Sequence, residues 1–176
     1  MRKYLESNKE IIFSFFPKFK KELSFLSLGL LILFIPALIH NQLLTGPIIN
    51  ALLLLTAIIN GPVAAISLGL VPSTVALSSG LLPLSLAPMV PFIMISNTIY
   101  VGIFSKLQKK NFVLGVLVSS IAKFLFLVIS VTFLGSSLLN EKILSKAVTM
   151  MTWPQLITAL AGGFITYIIL KLSKKA

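Results

Sequence analysis

Lys123 stands near the middle of GVLVSSIAKFLFLVISVTFL, residues 115–134, the single charge in an otherwise apolar stretch. An ionisable group so placed costs from a few kcal/mol upward, so it marks a functional site unless the structure satisfies it. At helical spacing it shares a face with Ser119, Ser120, Ser130 and Gly115, while Phe124, Leu125 and Val128 point elsewhere. Two readings are open: a contact for an anionic substrate, or a structural lysine that bonds helix-terminal carbonyls or snorkels along its stem. No acid in the surrounding spans offers a partner, so Lys123→Met is expected to fold well while losing anion affinity.

Asn97 sits in PFIMISNTIY beside Ser96 and Thr98. An amide in lipid needs a partner, which is either a substrate or a neighbouring helix. Asn50 and Asn60 are weaker candidates of the same kind. In MTWPQLITALAGG, Thr152 and Gln155 have capping-box spacing and Pro154 suits a first helical turn. The start of such a helix can hold an anion. Trp153 and Gln155 are therefore read either as substrate contacts or as an interface anchor and a cap.

His40, next to Asn41 and Gln42, is the only histidine, and the chain has no cysteine. These exclude a cysteine-ligated cluster and leave no metal set. Outside the flanks the only acid is Glu141, so no catalytic constellation exists and an enzyme is not expected. A phosphate-cradling Gly-Lys loop is also missing. No cofactor is expected in this chain, and any ATP would be used by partner subunits.

The elements that position these residues follow from the charge map. Of the 176 residues 57% are hydrophobic and 11% charged, with mean hydropathy +1.04, well outside the range of soluble domains. The 83 residues from 23 to 105 contain no Asp, Glu, Lys or Arg. At about 20 residues per crossing this predicts an all-α integral membrane protein. Six spans are expected: 23–40, 46–60, 62–80, 87–105, 112–135 and 152–170. Pro72 falls inside the third, and 136–151 is left as a loop. The first 22 residues, with Ile11, Ile12, Phe15, Phe16 and Phe19 beside lysines, predict a short interfacial amphipathic helix that ends or bends at Pro17. The organisation is thus 1–22 interfacial, 23–171 transmembrane and 172–176 a basic tail.

A net charge of +11 is not a nucleic-acid footprint here, because the lysines cluster at the span ends as Lys18/Lys20/Lys21, Lys106/Lys109/Lys110 and Lys171/Lys174/Lys175. Six Lys and Arg precede the first span, three separate spans four and five, and three follow the last; only Lys142 and Lys146 fall on the other side. Positive-inside reasoning places both termini in the cytoplasm. Small-xxx-small pairs (Gly61/Ala65, Ala65/Gly69, Ala159/Gly163) predict close helix packing.

GPIINALLLLTAIINGPVAAISLGLVPSTVALSSGLLP, APMVPFIMISN and WPQLITALAGG are similar to segments of the substrate-binding S components of energy-coupling factor (ECF) transporters, particularly a bacterial group whose substrate is unassigned. The likeness covers most of residues 23–171. It implies six helices in a prokaryotic cell membrane. It also implies a pocket near the outer face, built by loops 41–46, 81–86 and 136–151 with spans four to six. Asn97, Lys123, Trp153 and Gln155 would line or approach that pocket, and Ser119 and Asn41 are candidate substrate contacts beside them. The partners implied are a transmembrane coupling subunit, docked on the small-residue faces of spans one to three at Ala65 and Gly69, and two cytoplasmic ATPases. The first span carries Ser24, Ser27 and Gly29 where such proteins often show an Ala-xxx-Ala pair. The resemblance makes the chain the binding subunit of an importer for a small nutrient or vitamin-like molecule. Other classes are a structural or assembly subunit of a membrane complex and a stand-alone carrier.

Overall fold

The computed structural model describes the backbone of residues 2–135, 137 and 139–173, and side chains from Phe19 onward within those ranges except at 134 and 135. Helix α1 runs from Arg2 to Leu38 and does not end at Pro17, so of the two outcomes expected there an end is not seen. Proline removes one bond from the helical ladder, and that loss does not end a helix whose flanks are both helical. The side chains of Ile11, Ile12, Phe15 and Phe16 lie outside the described residues.

Helix α2 (Gln42–Ile59) starts before the Gly46-Pro47 pair expected to open it, because Asn41 caps it, accepting from Leu43 N at 2.9 Å. Every residue from 49 to 57 is buried, which makes α2 the hub of the bundle. It turns at Asn60–Gly61, where Gly61 takes φ +98°. Asn60 Nδ2 donates to the Lys21 carbonyl at 2.7 Å and ties this turn to α1.

The expected third span is broken at Leu70 into α3 (Pro62–Gly69) and α4 (Val71–Ser78), two residues before Pro72. A 3-10 turn (Leu84–Met89) leads into α5 (Val90–Leu107). Helix α6 (Phe112–Ile129), capped by Asn111, continues as a π turn over Ser130–Gly135. Residues 141–151, expected as loop, form α7 (Glu141–Met151), with Asn140 as its cap and Ala147 and Met151 buried. Helix α8 (Trp153–Ser173) follows after a break at Thr152.

Five stretches are long and apolar enough to cross a membrane, and Pro62–Ser78 is a shorter apolar pair. The chain is therefore all-helical among the described residues, with five to six apolar helices compatible with a membrane bundle. Large apolar side chains such as Leu26, Leu30, Phe34, Leu125 and Phe164 are exposed on its outside, as lipid contact allows. Two of the small residues singled out for docking are packed within the bundle. Ala65 is fully buried in the core, and a Cβ on Gly69 would meet Asn97 and Leu53. Their smallness serves internal packing.

Candidate functional site

Lys123 lies on the buried face of α6, 3% exposed. Its Nζ donates to Asn50 Oδ1 at 2.8 Å and to Asn97 Oδ1 at 2.9 Å, and lies 5.2 Å from the centroid of the Tyr100 ring. All three present negative potential to the amine. The amide orientations are set from behind. Asn97 Nδ2 donates to the Gly69 carbonyl at 2.9 Å, beside the break at Leu70, and Asn50 Nδ2 reaches Thr158 Oγ1 at 3.5 Å. Tyr100 is held by its hydroxyl, which donates to the Ala159 carbonyl at 2.8 Å. Side chains of α2, α5 and α6 thus meet at one amine, and α3 and α8 hold its partners in place.

That amine borders a cavity of about 680 Å³, counting its open mouth. The cavity occupies the end of the bundle where α1 finishes and α2 and α8 begin. Its wall includes Pro36, Asn50, Ser73, Asn97, Met151 and Gln155. Gln42, also on the wall, closes one side by donating from Nε2 to the Met150 carbonyl at 2.7 Å. Among the described residues no group of three His, Cys, Asp or Glu side chains gathers. The site offers hydrogen bonds, one cation and apolar surface, which suit binding.

Of the residues singled out from the sequence, the structure brings Lys123, Asn97 and Gln155 to the cavity. It does not bring the other three to the lining. Ser119 is buried and donates back to the Val116 carbonyl at 3.1 Å. Trp153 is 65% exposed, its ring 5.2 Å from that of Phe124. Asn41 is spent as the cap of α2. The expected capping box is also not made: Thr152 Oγ1 donates backwards to the Val148 carbonyl at 2.8 Å, closing α7.

Sequence reasoning underrated Asn50, whose signal was only an amide in an apolar run, and missed Ser73 altogether. The Ser73 hydroxyl is buried on the cavity wall without a hydrogen-bond partner. Compared with known proteins, the chain matches no family model, no curated protein and no solved structure.

Proposed function

We propose that the chain is a membrane-embedded substrate-binding subunit, of the S-component type, for an ECF importer of a small nutrient or vitamin-like molecule. The observation that carries this reading is an amine held by two amides on the wall of a cavity open at one end of the bundle. A lysine has three N–H donors, and two are taken by the amides. Besides these the amine has only the Tyr100 ring, at 5.2 Å, so in this proposal an acceptor that enters the cavity completes its set. Lys106, Lys109, Lys110 and Lys171 lie at the opposite end, so positive-inside topology turns the cavity outward and the termini inward. An importer's binding subunit needs that orientation, and ATP hydrolysis then falls to cytoplasmic partners. In this proposal the chain performs no catalysis.

The test is copurification of the tagged chain from its own cells under mild conditions, followed by native mass spectrometry. A transmembrane subunit, two ATPase subunits and a bound small molecule are the expected companions. External labelling of Ser85→Cys but not Lys109→Cys by an impermeant thiol reagent is expected alongside. A complex without ATPases or small molecule would assign the chain to a structural role.

A further inference from the structure

The cavity carries one cation and one unsatisfied hydroxyl, and these constrain what enters. Among the described residues that line it, Lys123 alone is charged. Ser73 is 4% exposed and its Oγ has no partner. The carbonyl four residues back, where a helical serine usually donates, is that of Gly69, which accepts from Asn97 Nδ2. Buried polar groups left open in this way call for a partner, and here the wall they lie on is that of a cavity. Much of the rest of the wall is apolar, with Ile49, Leu82, Ile93 and Met151 among it.

Resting on the reading of this cavity as a binding site, we infer that its ligand is a monocarboxylate with a compact apolar body. The carboxylate accepts the third N–H of Lys123. Ser73 lies on the same wall, where a rotation of its side chain brings Oγ to the ligand, and the apolar part lies against Ile49, Leu82 and Met151. Charge balance selects the class. A phosphate monoester carries about −1.5 to −2 at neutral pH, and the cavity has one cation and no guanidinium fork to match it. The surplus charge would be buried unpaired. A dicarboxylate fails for the same reason.

The chain has no cysteine, so one introduced thiol reports on one place. Ser73→Cys in the purified full chain is alkylated with iodoacetate and, separately, with iodoacetamide; Ser85→Cys, exposed in the 3-10 turn, gives the reference ratio. Ala76→Cys, also on the cavity wall, repeats the comparison if the first variant folds poorly. The iodoacetate-to-iodoacetamide ratio is expected to be about tenfold higher in the cavity than at the reference, the lower range of steering by a charged cleft. Adding Lys123→Gln, which keeps donors for the two amide oxygens, should abolish the excess. Equal ratios at both places, or no alkylation in the cavity by either reagent, would overturn the inference. Acetate should slow iodoacetamide labelling of the cavity thiol more than inorganic phosphate does. Protection by phosphate alone would overturn the carboxylate class and still leave an anion site. None of these readouts depends on whether ATPases copurify, so the ligand class and the transport reading fail separately.

Discussion

The two ends of the bundle are built by opposite rules. At the end holding the turn between α5 and α6, Phe104 is fully buried and meets Phe112 edge-on at 5.5 Å, Gly163 faces Val116 with no room for a Cβ, and the space left between α6 and α8 is an apolar groove lined by Phe112, Val116, Leu160 and Tyr167. At the cavity end the helices are interrupted, by the break at Leu70, the 3-10 turn before α5, the π turn after α6 and the break at Thr152. Irregular backbone at membrane depth is tolerated where protein buries it or a cavity receives it. The freed polar groups become the site, as the Gly69 carbonyl does by orienting Asn97. Regular helix with small residues leaves only apolar space at one end, and interrupted helix with amides leaves polar space at the other.

The sharpest way to break this contrast is at Lys123. Lys123→Met should cost ligand affinity by about 2–5 kcal/mol, the range for truncating one partner of a buried charge pair. Its folding should also suffer, against the expectation drawn from sequence, because the buried oxygens of Asn50 and Asn97 lose their donor. About 1–3 kcal/mol is the usual cost of one such group. Isothermal titration against the copurified molecule and thermal melting in detergent read the two effects. Normal binding by this variant would make the lysine structural.

At the end holding the α5–α6 turn the expected effect is smaller and confined to stability. Gly163→Leu should destabilise by about 1–3 kcal/mol through overpacking against Val116. Binding by the protein that remains folded should be unchanged, and a loss of affinity would show that the two ends are coupled. The smallest effects are expected from hydroxyls. Tyr100→Phe removes the bond to the Ala159 carbonyl and should cost about 0.6 kcal/mol, the average for side-chain bonds between membrane helices. Ser119→Ala, which loses only a bond within its own helix, should melt within about 0.5 kcal/mol of the parent. A larger loss of binding from Ser119→Ala than from Tyr100→Phe would place Ser119 in the site after all.

The long apolar helices were legible because their signal is local: runs without charge, ended by lysines and punctuated by prolines. Helix α7 was not, because EKILSKAVTMM reads as a charged loop until Ala147 and Met151 have a surface to cover. The break at Leu70 was half legible, since Pro72 announced an interruption without saying whether the helix would bend or stop. For the site, the sequence showed that Lys123 needs acceptors and that no nearby acid supplies them. It did not show that Asn50, 73 residues away, is one of the two that do. Partner choice across helices is a property of packing, and one sequence carries no record of it.

The interrupted pair α3–α4 has a consequence for the surrounding lipid. From Pro62 to Ser78, at 1.5 Å per residue, the apolar segment reaches about 26 Å. A typical hydrocarbon layer is about 30 Å thick. In a bilayer, lipids beside this pair would shorten or tilt to meet it, each ångström of mismatch costing a fraction of a kcal/mol. In a bilayer this pair would present a shorter apolar face than the 24-residue stretch Leu84–Leu107 or the 22-residue stretch Phe112–Phe133, on the side where Ser73 and Ala76 line the cavity.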